Sequence, residues 1–329
     1  MKPISETSAV KAAISPTAPP VDRLPAQAPR LSQRIRRRAG DFWCNVLFWH
    51  SQHLPWITRK SKSFYLWFMW RFAKLTRDAV MANTRWLLGP SASQADREAL
   101  ARRIIGAFYD FVYDIGLCLR CSPQQLAAQI DGVTNHDTYV AARALKRGAI
   151  VVTAHMGSFE AGVSALREHE EKIHVVFQRD RIARFERMRS TLRSRLGVIE
   201  APVDDGWTIW MRLRDALQND EVVMLQGDRV MPGQKGARVP FCGGHIMLPP
   251  GPVKLALASG APIIPVFSLR TPEGKIRVVV EQPIFVDPDD TGADIHPALL
   301  KIAAVIEKYV KQYPDQWIVI HRAWCEDLI

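Results

Sequence analysis

Between residues 149 and 281 the chain alternates short, nearly unbroken apolar runs with longer stretches whose apolar positions recur every three or four residues. The runs Ala149-Ile150-Val151-Val152-Thr153-Ala154, Ile173–Phe177, Val222–Gln226 and Ile263–Leu269 read as strands buried on both faces of a parallel sheet. An edge pair is expected around Ile276–Glu281, and helices at about 159–171, 181–196, 206–219, 252–259 and 294–312 separate the strands. This alternation predicts an α/β layered domain with a central, mostly parallel sheet flanked by helices. Upstream, Leu100, Ile104, Ile105, Phe108, Phe111, Val112, Ile115 and Leu117 follow helical spacing from residue 94, and helices are expected to dominate up to about 147.

The first 93 residues follow neither pattern. Residues 1–40 hold Pro3, Pro16, Pro19, Pro20, Pro25 and Pro29 among small polar residues, then Arg34-Ile35-Arg36-Arg37-Arg38, and are expected to be a disordered basic tail. They lack the apolar segment of a secretory signal. Residues 41–93 carry Phe42, Trp43, Phe48, Trp49, Trp56, Phe64, Trp67 and Trp70, interleaved with Arg59, Lys60 and Lys62. A membrane span needs about 20 mostly apolar residues, and these polar residues interrupt every candidate run. Tryptophan beside basic residues suits a lipid headgroup region, so residues 41–75 are expected to form one or two amphipathic helices on a membrane surface. Two other readings stand beside it: a Trp-rich helical pair packed on the globular domain, and nucleic-acid binding through Arg34–Arg38, for which no recognition motif is present.

Composition adds one asymmetry. With 47% hydrophobic and 23% charged residues in 329, the chain is ordinary for a globular protein. Its net charge of +11 is all in residues 1–77, which hold 14 Lys and Arg against 3 Asp and Glu. The five cysteines, Cys44, Cys118, Cys121, Cys242 and Cys325, form no secreted disulfide pattern. Cys118 and Cys121 have C-x2-C spacing without a second ligand pair, so a buried helix face is expected there and no metal.

The chemistry-bearing segment is Val151-Val152-Thr153-Ala154-His155-Met156-Gly157-Ser158-Phe159-Glu160. His155 ends a strand, Gly157 permits a tight turn, and Ser158 can cap a helix that carries Glu160 in its first turn. Across such a junction the Glu160 carboxylate could hold one nitrogen of His155, leaving the other to take a proton from a hydroxyl. On spacing alone, a satisfied histidine near a helix start is the commoner arrangement, and that reading stays open.

His155 and Glu160 match the H-x4-E/D motif of the glycerolipid acyltransferases, and the surroundings resemble the late acyltransferases of lipid A biosynthesis and the related mannoside acyltransferases. The resemblance rests on an ordered set: Ala154–Glu160, Gly227-Asp228-Arg229, Val239-Pro240-Phe241-Cys242-Gly243, Pro249–Ala256, Ala261–Phe267 and Tyr313-Pro314-Asp315-Gln316-Trp317. It covers about residues 94–325, and implies an acyltransferase domain over 94–329. It implies His155 as catalytic base with Glu160 as its orienter. Basic residues after the motif would hold acceptor phosphate or donor, which makes Arg179, Arg229 and Arg238 candidate anion binders. Asp228 would position Arg229 or the acceptor hydroxyl. Structural salt bridges remain the alternative role for these four. The arginine-rich stretch 179–195, with Arg181, Arg184 and Arg195 on one helix side, could meet anionic headgroups or an acidic carrier protein, or be a solvated basic face.

The resemblance therefore implies an enzyme that moves a fatty acyl group from acyl carrier protein or coenzyme A to a hydroxyl of a glycolipid or similar lipid. It needs no cofactor beyond the thioester, and would work at the cytoplasmic face of an inner membrane. Two departures qualify it. Many relatives carry a clear N-terminal span and this chain has only the interrupted aromatic region, so peripheral attachment is expected. Gly227-Asp228-Arg229 also differs from the acidic-Gly-Thr-Arg form of glycerol-phosphate acylating relatives, which disfavours a simple lysophosphatidic acid acceptor. A lipid-binding protein on the same scaffold, without turnover, is the competing reading. A serine hydrolase lacks its G-x-S-x-G elbow here.

Overall fold

The apolar runs line up side by side in a computed structural model of the protein, which describes residues 42–43, 45–180, 182–230, 233–290 and 295–328. Seven strands, β1 (Ile130–Thr134), β2 (Ala149–Thr153), β3 (Ile173–Phe177), β4 (Ile199–Pro202), β5 (Val222–Gln226), β8 (Ile263–Arg270) and β9 (Ile276–Val280), form one sheet in the order β1-β9-β8-β2-β5-β3-β4. From β8 to β4 all neighbours are parallel; β9 runs antiparallel to β8, and β1 parallel to β9. Every residue of the central β2 is buried. Ile150 and Val152 enter the core on one side of the sheet, Ala149 and Val151 that on the other, which is why this strand has no polar face.

Helices α9 (Thr208–Gln218), α10 (Gly251–Ser259) and α11 (Pro297–Gln312) cover the first side, and α6 (His136–Arg143) and α7 (Phe159–Arg167) the second. Helix α8 (Ala183–Arg195) packs beside α4 (Gln94–Cys118), which is followed by the single-turn α5 (Pro123–Ala127). The expected strands and helices are thus present within a few residues of their boundaries. Three elements were not foreseen: β1 within the supposedly helical stretch before 147, the edge strand β4, and the antiparallel hairpin β6 (Ala237–Phe241) with β7 (Gly244–Leu248). Cys118 closes α4 on a buried face at 2% exposure, as expected, whereas Cys121 lies beyond the helix end and is half-buried.

The aromatic N-terminal region forms α1 (residues 45–53), α2 (Pro55–Phe72) and α3 (Lys74–Leu88). One side packs inward: Phe48 stacks on Phe185 of α8 with ring centroids 4.3 Å apart, and Leu47 joins Phe111 and Phe159 in the same cluster. Gly116 of α4 permits this approach, because a Cβ there would collide with the backbone of Ser51. The other side leaves Trp43, Trp56, Phe64, Trp67, Phe72 and Leu75 between 49% and 84% exposed. The packed-pair reading describes the inward face of these helices, and the outward face is aromatic and exposed. No described helix is long and apolar enough to cross a membrane. Residues 40–329 cluster as one body, with Val80 of α3 against Leu100 and Ile104 of α4 across the boundary drawn at residue 93. The tail 1–40, including Arg34–Arg38, and Arg181 lie outside the described residues.

Candidate active site

β2 and β5 are paired with Thr153 opposite Gln226, so both strands end at the same level. Two residues beyond each end stand His155 and Asp228. Their side chains meet, with His155 Nδ1 2.7 Å from Asp228 Oδ1. The other carboxylate oxygen accepts the His155 backbone N–H at 3.0 Å and the Trp317 indole N–H at 2.9 Å. The turn itself is pinned from outside: Gly157 N–H donates to Gln316 O, Ser158 N–H to Ser268 O, and Ile318 N–H to His155 O. Gly157 has φ +54°, and any side chain at that position would strike the Ser268 carbonyl.

Burial pushes the His155 imidazole below its ordinary value, and the Asp228 carboxylate pulls it back only in part, while the Arg229 charge adds to the depression. Burial alone would raise Asp228, but the adjacent imidazole and the three hydrogen bonds hold it well below the usual carboxylate range. The pair is therefore a neutral imidazole beside an anionic carboxylate at neutral pH. Nδ1 is engaged by Asp228, and the His155 side chain retains 13% exposure. Its ring edge-packs on Phe159, the first residue of α7, at 5.6 Å and 73°. Such a group can accept a proton at Nε2 from a hydroxyl brought to the turn.

Glu160 is placed otherwise than the spacing suggested. It faces α8, where its Oε1 accepts from Arg189 Nε at 2.6 Å; no described hydrogen bond joins it to His155. The physical reason is the cost of the buried guanidinium. Burial works against the charge of Arg189, and Glu160 with Asp180, 2.8 Å from Arg189 Nη1, restores it and more. The carboxylate on the His155 ring is that of Asp228, whose oxygens go to His155 and Trp317, and no described hydrogen bond joins it to Arg229. Ser158 occupies the cap position of α7 but makes no capping bond. Its hydroxyl is hydrogen-bonded to Asp114 instead.

The three candidate anion binders separate. Arg179, its side chain 49% exposed, pairs with Asp205 at 2.8 Å, and Arg238 on the hairpin pairs with Glu326 at 3.0 Å. Both make the surface salt bridges of the alternative reading, and no described contact joins either to His155. Arg229 differs: it is half-buried, its buried Nε has no hydrogen-bond partner among the described residues, and the neighbouring Asp228 is spent on His155 and Trp317. Gln178 Oε1 at the end of β3 and Gln226 Nε2 at the end of β5 are likewise buried and unpartnered. Of the arginine-rich stretch, Arg189 and Arg193 turn inward to carboxylates and Arg195 to the Leu119 carbonyl. The sequence reading did not single out Arg189 or Trp317 as site residues. Trp317 stood in the closing motif, and its lone indole donor was the available signal.

A family model described as bacterial lipid A biosynthesis acyltransferase matches residues 30–326. Among curated proteins, the chain is similar to a phosphatidylinositol mannoside acyltransferase of Mycobacterium tuberculosis (strain ATCC 25618 / H37Rv), with 26% identity over 208 residues, 62% of this chain and 64% of the relative. A protein of the same name from Mycolicibacterium smegmatis is 25% identical over 206 residues, 62% of this chain and 65% of the relative. The matched stretch thus spans less than two thirds of either relative.

Proposed function

The chain belongs to the bacterial lipid A biosynthesis acyltransferase family, and from that premise we propose that it moves a fatty acyl group from acyl carrier protein or coenzyme A to a hydroxyl of a glycolipid or related lipid. The observation that carries this reading is the His155–Asp228 pair at the common end of β2 and β5. His155 Nε2 takes the proton of the acceptor hydroxyl as its oxygen attacks the thioester carbonyl carbon. The tetrahedral intermediate then expels the thiolate, which receives the proton back from the imidazolium. Asp228 stays ionised throughout and stabilises the charged ring. Neither the proton transfers nor the bond exchange calls for a metal or cofactor.

Arg229 supplies the anion site in this scheme, since a half-buried guanidinium without a hydrogen-bonding carboxylate is suited to a phosphate of donor or acceptor. The names of the mycobacterial relatives favour a sugar-bearing lipid as acceptor. The exposed aromatic face of α1 and α2 supports peripheral attachment to a membrane, at its cytoplasmic side where acyl thioesters are made.

The test is thiol release by the purified protein from acyl-coenzyme A and from acyl carrier protein, with and without a bacterial lipid extract, beside a His155→Ala control. Release that needs both lipid and His155 is expected, with a newly acylated lipid seen by mass spectrometry. Retention of more than about a few per cent of the rate in His155→Ala sinks the base assignment. Release without lipid would mean a thioesterase, and no release with any donor a lipid-binding protein.

A further inference from the structure

Asp114 of α4 has no part in the reaction as drawn, yet it is buried at 9% exposure next to the turn that carries His155. We propose that Asp114 is a positioning residue for His155, its carboxylate fixing the 155–158 turn through Ser158 and Arg270; the inference rests on the reaction proposed above. Two donors converge on it, the Ser158 hydroxyl and the Arg270 guanidinium. From both, the path leads back to the same turn. Ser158 N–H donates to Ser268 O at 3.2 Å, two residues before Arg270 in β8. Arg270 N–H and C=O both bond the Gln316 side-chain amide at 2.8 Å. The Gln316 carbonyl then accepts Gly157 N–H at 3.0 Å. Asp114, paired with Arg270, thus ties α4, the turn and the end of β8 into one connected set of bonds beside His155.

That set of bonds contains a group able to titrate near neutrality. Burial lifts the Asp114 carboxyl to about 6, with Arg270 and Ser158 working against the rise and Asp110 adding to it. The groups facing this region are Asp110, itself held by Lys62 at 2.7 Å, and Cys118 from α4, Arg270 from β8, and Glu160 from α7, which Arg189 neutralises. Asp315, beyond Gln316, is turned to Arg103 at 3.7 Å. Below pH about 6 Asp114 takes a proton, Arg270 loses its anionic partner, and the hold of α4 on the turn weakens.

The experiment measures kcat and KM of the full chain between pH 5 and 8, with whichever thioester donor the wild type turns over, for wild type, Asp114→Asn and Ser158→Ala, with melting curves of each. Asp114→Asn is expected to lower kcat about tenfold while donor KM stays within about twofold, because a small displacement of a catalytic group costs rate before binding. The limb near pH 6 should be lost in the same variant. Ser158→Ala keeps the Asp114–Arg270 pair and cuts only its link to the turn; it should lower kcat and weaken that limb as well. Wild-type kcat and profile in both variants overturn the inference. Should Asp114→Asn not fold, Ser158→Ala decides alone: an unchanged kcat and limb overturn it. A wild type that transfers no acyl group instead removes the reaction itself, and this role with it.

Discussion

His155 and Asp228 lie 73 residues apart in the chain and 2.7 Å apart in the fold. Parallel pairing of β2 with β5 puts them there, each two residues past a strand that ends beside the other. Asp228→Asn keeps the shape and removes the charge that stabilises the imidazolium. kcat should fall by about 10³-fold or more with little change in donor KM, as for the carboxylates of other acid–base–carboxylate sites. Steady-state thiol release at pH 7 checks it, and a variant within about tenfold of wild type would mean that Asp228 is structural.

The indole of Trp317 is the second anchor of that carboxylate. Trp317→Phe preserves the ring in its buried seat and deletes the donor. A loss of about 1–3 kcal/mol in unfolding free energy is expected, measured by denaturant titration, because the acceptor is charged and fully enclosed.

Glu160 yields the sharper test of roles. If it oriented His155, Glu160→Gln would act on kcat alone. Since it neutralises Arg189 together with Asp180, the variant should instead destabilise the fold, by about 1–3 kcal/mol with Asp180 still in place. Arg189→Met together with Glu160→Gln should regain most of that loss, which a melting series on the two single variants and the double will reveal.

How much of this was legible in the sequence follows from how each residue is buried. β2, β3, β5 and β8 could be read because strands covered on both faces must be continuously apolar. β1 escaped notice because Asp131 and Gly132 are exposed on an edge strand, and β4 because it is four residues long and ends in Pro202. In the site, the turn at Gly157 and the importance of His155 were visible locally. Its partner was not, since spacing along a chain says nothing about which strand lies alongside; the five-residue separation pointed to Glu160, while the sheet order brought in Asp228. Charge pattern alone could not tell Arg229, whose Nε is buried and unpartnered among the described residues, from Arg179 and Arg238, whose carboxylate partners come from other elements.

Acidification should separate the buried carboxylates. Asp228 has a folded value below its unfolded one, so its stabilisation is complete above about pH 4 and is lost as pH falls further through the folded value. Asp114 runs the other way: its raised folded value favours folding below about pH 4, an advantage lost as pH rises through about 6. Melting temperatures should therefore drop steeply below pH 4 in wild type. Asp228→Asn should start lower at pH 7 and show a shallower acid limb.

The two faces of the N-terminal helices can be separated by mutation. Trp56→Ser with Trp67→Ser should leave the melting temperature within about 2 °C of wild type, since both side chains are more than half exposed. Binding to vesicles of phosphatidylethanolamine and phosphatidylglycerol, measured by sedimentation, should fall at least about tenfold, each indole being worth 1.5–3 kcal/mol or so when buried in lipid. Gly116→Val should do the opposite, prying α1 from α4 and lowering stability.

The segment from Gln316 to Ile318 supplies the carbonyl that accepts from Gly157, the indole N–H that donates to Asp228 and the backbone N–H that donates to the His155 carbonyl. A product clipped before Gln316 would keep His155 and Asp228 on their paired strands but lose all three of these outer bonds at once, so a nick there reaches the turn without touching either strand.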